Sequence, residues 1–149
     1  NEEACELADY NLNHYHHAQA KIIACDILAF SHRPVSCIIC NPPYFKVSDE
    51  KQLNRNEYLS NARHEAKLTL SALLKKASEL LVDKGRLYMI QRSDRLIDIA
   101  LGCRENHMEV KKIQLVYDEA KSDAQSVLIE AMKSGRAGCR ILPIHTTKR

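Results

Sequence analysis

Glycine is scarce in this chain: there are four in 149 residues, Gly85, Gly102, Gly135 and Gly138, and none precedes Asn41. A G-x-G turn, the usual backbone approach to a nucleotide cofactor, is therefore excluded from everything before Asn41. No uninterrupted apolar stretch approaches the length that spans a bilayer. The first residues, Asn1-Glu2-Glu3-Ala4, are acidic and amphipathic, unlike a secretory leader. There is no internal repeat and no low-complexity segment. The formal net charge of +3 is too small to identify a nucleic-acid partner by itself. Cys37 and Cys40 form one C-x-x-C, but no second pair accompanies it, and Cys5, Cys25, Cys103 and Cys139 are scattered. On an extended chain Cys37 and Cys40 point to opposite faces. The six cysteines are expected to be small buried hydrophobes in a reducing, cytoplasmic protein, with no metal. His14, His16 and His17 lack the partner spacing of a metal site and suit a solvated helix end.

What is present is a 45% hydrophobic composition, enough for the core of one domain, and one unusual tetrapeptide. Asn41-Pro42-Pro43-Tyr44 follows the apolar run Val35-Ser36-Cys37-Ile38-Ile39-Cys40, which has the character of a buried strand. The Asn41 side-chain oxygen can accept a hydrogen bond, and so can the Pro42 carbonyl. The two prolines stiffen the turn, and Tyr44 can stack on a flat group. Two acceptors facing an –NH2 group hold a planar amine with its lone pair aimed at an electrophile.

Asn41-Pro42-Pro43-Tyr44 resembles the catalytic motif of the S-adenosylmethionine-dependent amino-methyltransferases. Asn61-Ala62-Arg63-His64-Glu65, Thr69-Leu70, Leu73-Leu74, Gly85-Arg86-Leu87 and Lys133-Ser134-Gly135-Arg136 through Leu142-Pro143 resemble the branch that methylates adenine N6 beside the anticodon of valine tRNA. The resemblance implies a partial Rossmann-like α/β fold, mainly parallel with a C-terminal antiparallel hairpin, lacking its first two strands. It implies strand order 3-2-1-4-5-7-6 for a complete domain. Residues 1–149 then form one methyltransferase domain, with 1–60 carrying the remaining cofactor half and the motif, and 61–149 the substrate side. Another chain or a missing N-terminal segment completes the sheet, and the chain alone binds S-adenosylmethionine weakly or not at all.

The coarse pattern is alternating. Cys5, Ala8, Leu12 and Tyr15 make one helical stripe. Lys21 to Cys25 is expected as a short strand ending at Asp26. Phe45 to Ser60 is a polar loop beside the motif, suited to binding or covering a substrate. Ala66, Leu70, Leu73, Leu74, Ala77, Leu80 and Leu81 define a long helix, with Asn61 available as its cap and Gly85 beyond its end. Arg86 to Ile90 is a strand, and Ser93 or Asp94 caps a helix carrying Leu96, Ile97, Ala100 and Leu101. Ile113, Leu115 and Tyr117 alternate along one strand of a final hairpin, and Val127, Ile129 and Ala131 along the other, about a loop from Asp118 to Gln125.

Ligands of open α/β sheets bind outside the carboxyl ends of parallel strands. By resemblance, Asp26 and Ile27 meet the cofactor's adenine through a carboxylate and a backbone N–H, and Asn41 borders the same site. A turn cap is the equally weighted alternative for Asp26. Asn41, Pro42, Pro43 and Tyr44 hold the target amine. Arg63 and His64 stand at a helix start where a phosphate or an ordinary charged first turn is accommodated. Arg92 is a second candidate for substrate-backbone contact. From Lys133 onward there are five basic residues and no acid, so Arg136 and Arg140 are either phosphate contacts or part of a solvated tail. The expected partner is tRNA or another structured RNA, with no membrane. Transfer to glutamine N5 or another base amine, and a catalytically silent fragment that binds RNA or a protein, remain as alternatives.

Overall fold

The computed structural model describes residues 2–15, 19–42 and 68–147. These fall into two compact units, 1–31 and 32–149, each described by itself. No described helix is long and apolar enough to cross a membrane.

Among the described residues the first unit holds one helix, α1 (Glu2–His14). Cys5, Ala8 and Leu12 are its half-buried face, as their spacing predicts, whereas Tyr15 is exposed beyond its end. His14 stacks on Tyr10 one turn earlier, with ring centroids 5.8 Å apart. Lys21–Cys25 is not a strand, contrary to expectation: it pairs with no other described segment. Apolar alternation permits an extended backbone, but only a ladder partner makes a strand of it. Asp26 instead opens a turn. Its Oδ1 accepts from the Leu28 N–H at 2.9 Å, and its carbonyl accepts from Ala29.

The second unit is built on a six-stranded mixed sheet, β1 (Val35–Cys40), β2 (Leu81–Arg92), β3 (Met108–Asp118), β4 (Ser126–Lys133), β5 (Arg140–Ile141) and β6 (His145–Thr147). The order is β1-β2-β4-β3-β5, with β6 also on β3. β1 and β2 run parallel, while β4 is antiparallel to both β2 and β3. The first four strands thus reproduce the 4-5-7-6 portion of the implied order. The hairpin forms in the expected phase, with Ile113 opposite Ile129 and Leu115 opposite Val127. The short parallel strands β5 and β6 carry too little periodicity to be foreseen.

Two of the described helices cover one face of this sheet. α2 (Leu70–Leu80) is capped by Thr69, whose Oγ1 accepts from the Ala72 N–H at 3.1 Å. Asn61 and Ala66 lie outside the described residues; the described helix starts at Leu70, with Thr69 in the capping role. It ends earlier than its stripe suggests: Leu81 is extended and belongs to β2, its N–H still bonding back to Ala77 and Ser78. The β1–β2 register slips between Val35 and Cys37, so Val35 pairs with Leu81 and the regular ladder resumes at Arg86; the strand contains the expected Arg86–Ile90 segment but extends beyond it at both ends, to Leu81 and Arg92. A Cβ at Gly85 would stand 2.8 Å from the Val82 carbonyl, which explains a glycine at this kink.

α3 (Leu96–Glu105) follows a 3₁₀ turn at Ser93–Arg95. Neither Ser93 nor Asp94 caps it. The Ser93 hydroxyl is bonded to the Ala124 carbonyl, and Asp94 is paired with Arg92. Its core face is Ile99, Gly102 and Cys103, with Leu96 and Ala100 beside them, while Ile97 and Leu101 are exposed. Apolar residues surround this helix on several sides, and packing against α2 decides which are buried. The core joins Leu70, Leu73, Leu74 and Ala77 of α2 and this α3 face to Leu87, Met89, Val110, Val127, Ile129 and Ala131 of the sheet. Lys133 donates to the Ser78 and Leu81 carbonyls at 2.6 and 2.8 Å, tying the end of β4 to the C-terminus of α2.

All six cysteines are free thiols. Cys103 is fully buried, and burial, with Glu109 adding to it, pushes its pKa up to about 12. Cys40 packs against the core, and Cys37 faces away, as alternation requires. Cys25, Cys37 and Cys139 are exposed, so only part of the set behaves as buried hydrophobes.

Candidate functional site

Strand alternation divides the sheet into a helix-covered face and a face that carries Ile39, Tyr88, Ile90, Leu128 and Glu130. Across the second face the register sets Ile39 beside Tyr88, Tyr88 beside Glu130, Glu130 beside Lys112 and Lys112 beside Arg140. A cleft of about 450 Å³ runs over this face and reaches Asn41, with Gln114 and Leu142 also lining it. Its wall is mostly apolar, and Ile39 is 84% exposed.

Asn41 is the first residue past β1. It is exposed, and among the described residues its amide makes no hydrogen bond. Pro42 is buried behind it and fixes the direction of the turn. Among the described residues, then, the Asn41 acceptor at the carboxyl end of a parallel strand has no partner. Pro43, Tyr44, Arg63 and His64 lie outside the described residues.

Arg92 ends β2, the parallel neighbour of β1. Because Cys40 is level with Met89, Asn41 is level with Ile90, and Arg92 stands about 7 Å farther along the same edge. Asn41 and Arg92 are thus brought to one end of the sheet. The Arg92 guanidinium is forked onto Asp94, Nε to Oδ1 at 3.2 Å and Nη2 to Oδ2 at 2.5 Å. Both partners are about half exposed, so the pair is reachable from solvent. Arg136 and Arg140 lie at the other side of the sheet, beyond β4 and on β5. Both are exposed, and neither guanidinium has an acidic partner among the described residues. The turn carrying Arg136 is held by Lys111, which donates to the Arg136 and Gly138 carbonyls at 2.9 and 2.7 Å. Asp26 and Ile27 belong to the first unit. The Asp26 turn bond occupies one carboxylate oxygen, and the Ile27 N–H has no acceptor among the described residues.

Glu130 is a site residue that sequence reasoning passed over. It is 5% exposed at the centre of the sheet, paired with Arg86 on one side and with Lys112 at 2.7 Å on the other. Burial penalises its charge, but the Lys112 hydrogen bond and the Arg86 charge outweigh that and hold its pKa below the usual carboxylate range. Alternation about Val127, Ile129 and Ala131 puts Glu130 opposite the core; its partners emerge only from the inter-strand register. A depressed folded pKa contributes stability that is fully present above the unfolded value, about 4.3, and lost as pH falls through the lower folded value. Acid unfolding of Glu130→Gln should therefore show a shallower loss of stability below about pH 4.5 than the wild type. Parallel acid limbs in urea titrations of the two proteins would remove Glu130 from the acid response.

No family model matches the chain. Over 133 residues it is 28% identical to the tRNA1(Val) (adenine(37)-N6)-methyltransferase of Flavobacteriaceae bacterium strain 3519-10, covering 87% of this chain and 54% of that protein. Over 64 residues it is 44% identical to the protein of the same name in Porphyromonas gingivalis strain W83, covering 43% and 24%. The chain spans about half the length of the first of these relatives. Among solved structures, that of a predicted O-methyltransferase from Agrobacterium tumefaciens superposes on the whole chain and 63% of its own, with a TM-score of 0.61 and 20% identity. The fold is that of part of a Rossmann-like methyltransferase.

Proposed function

We propose that this chain is the target-holding portion of an S-adenosylmethionine-dependent N-methyltransferase, and that the complete protein methylates adenine N6 of a tRNA beside the anticodon. The observation that carries the proposal is Asn41: an exposed amide at the carboxyl end of parallel strand β1, without a hydrogen bond among the described residues and followed by a buried proline. The likeness over 133 residues to a tRNA adenine-N6 methyltransferase supports the substrate.

In this reading the Asn41 side-chain oxygen and the Pro42 carbonyl accept the two N–H bonds of the target amine. That leaves its lone pair directed at the methyl, and Tyr44 stacks on the base. Holding the reactants in line removes much of the barrier without further chemistry, as well-oriented intramolecular reactions show. Bound S-adenosylmethionine supplies an electrophilic methyl group on a sulfonium. The chain offers Asp26 and Ile27 for its adenine. The second carboxylate oxygen of Asp26 and the Ile27 N–H remain an acceptor and a donor side by side, which fits an adenine edge. The methylated amine is cationic and acidic enough to lose its proton to water, so no protein base is required. Arg63, His64, Arg136 and Arg140 meet substrate phosphates, and the protein works in the cytoplasm as one domain over 1–149, completed by further chain.

The test is methyl transfer by the complete protein to unmodified tRNA and, in parallel, to a glutamine-containing peptide, with the modified position mapped. Label on adenine N6 next to the anticodon is the expected result. Label on the peptide alone would keep the reaction class and overturn the RNA substrate.

A further inference from the structure

A second cleft, of about 570 Å³, opens at the carboxyl end of β2 between Arg92, Ser93 and Asp94 on one side and Asp123, Ala124, Gln125 and Ser126 on the other. It falls within the usual size of small-ligand sites. Its walls are fastened together. The Ser93 hydroxyl donates to the Ala124 carbonyl and the Ser93 N–H to the Gln125 carbonyl at 3.3 Å. Gln125 is held in turn by its N–H on the Val116 carbonyl at 2.9 Å, its amide on the Asp123 carbonyl at 2.8 Å and Lys121 on its Oε1 at 2.9 Å. The loop between β3 and β4 is therefore pinned to the strand that neighbours Asn41.

Charge and shape decide what this cleft accepts. Its lining carries one cation, Arg92, against two carboxylates, Asp94 and Asp123, with Lys121 beside it on Gln125, so no net positive charge selects a phosphate. The two-point bond to Asp94 locks the Arg92 guanidinium and the carboxylate into one plane, which offers a flat shelf. Asp123 has no hydrogen bond to its carboxylate among the described residues, and the Ser126 hydroxyl is likewise unengaged, directly across the ladder from Arg92. A flat shelf bordered by a free acceptor and a hydroxyl suits a planar neutral group with N–H donors. Guanidinium planes and polar edges of this kind receive splayed bases of single-stranded RNA. From the level of Asn41 the offset is one strand spacing sideways and two residues along, about 8 Å in all. That is the scale of a one-nucleotide step.

We infer that this cleft holds an unpaired, amino-bearing nucleobase next to the methylated one, stacked on the Arg92–Asp94 plane and read at its edge by Asp123 and Ser126. The inference rests on the nucleic-acid substrate proposed above and adds to it a second base, chosen by sequence. Arg92 then serves base stacking, not backbone contact.

The experiment uses the complete protein and substrate tRNA with each base placed in turn on either side of the target adenine. Wild type should prefer an amino-bearing base at one flank by about tenfold in kcat/KM. Asp123→Asn, which keeps the size of the side chain and adds a donor, should flatten that preference while leaving the melting temperature unchanged. A 2-aminopurine probe at the same flank should brighten on binding to wild type as it leaves its neighbouring bases, and Arg92→Ala should diminish the brightening and weaken binding about tenfold. Unchanged flanking preference in Asp123→Asn, or unchanged brightening in Arg92→Ala, would overturn the second-base site alone. Failure of wild type to methylate any RNA would overturn it together with the proposed substrate.

Discussion

Asn41→Ala, made in the complete protein, should lower the rate of methyl transfer by about 10²–10³, the loss seen when one fixed hydrogen-bonding group is removed from a reacting centre. The same substitution should shift the melting temperature by no more than about 2 °C. The side chain is exposed and bonded to nothing among the described residues, and surface changes away from special features stay within about 0.5 kcal/mol. This combination separates a positioning role from a structural one. Asn41→Asp, which keeps an acceptor at that point, should retain more of the rate than the alanine variant. Single-turnover transfer under saturating tRNA and cofactor reads the step directly. A wild-type rate in Asn41→Ala would remove Asn41 from the chemistry and with it the principal support for the proposed reaction.

Leu74→Ala should be the most damaging of the core truncations, costing about 3–5 kcal/mol and lowering the melting temperature by roughly 10 °C. Leu74 is fully buried in α2. It packs so closely on α3 that a Cβ at Gly102 would stand 2.7 Å from its Cδ1. The helix pair closes over the sheet through this contact, so the cavity left by truncation has little freedom to collapse. Gly102→Ala should restore part of the loss in the double variant, because the added methyl enters the space that Leu74 vacates. Urea unfolding of the two single variants and the double variant gives the coupling. Strictly additive effects would show that the two residues do not share one packing space.

Much of the second unit was legible in the sequence because local patterns and tertiary demands agree there. Val35–Cys40 is an apolar run ended by prolines, and it is a strand that stops at Asn41. Leu70, Leu73, Leu74 and Ala77 keep the helical period and are all buried. Ile113, Leu115, Val127 and Ile129 alternate, and they meet across an antiparallel hairpin. The helix that begins at Leu96 shows the limit. Its apolar residues are distributed around it, so composition allowed Ile97 and Leu101 as core, and only contact with α2 selected Ile99 and Cys103. The Lys21–Cys25 segment fails for the complementary reason: a strand is a relation between two segments, and its own residues hold half of that relation.

The candidate site divides the same way. The sequence alone determined the chemical character of Asn41-Pro42-Pro43-Tyr44, since an amide acceptor and two rigid prolines are properties of the residues themselves. It also determined that residues 1–40 contain no glycine. The tertiary structure decided what stands around Asn41. The parallel register of β1 and β2 brings Arg92 to the same edge. The antiparallel register of β4 sets Glu130 between Arg86 and Lys112. The bonds of Ser93 draw Asp123 and Ser126 into a cleft beside Arg92, across more than thirty residues of chain. Neighbours this distant in sequence meet only through strand pairing, and the register of that pairing is written in no single segment.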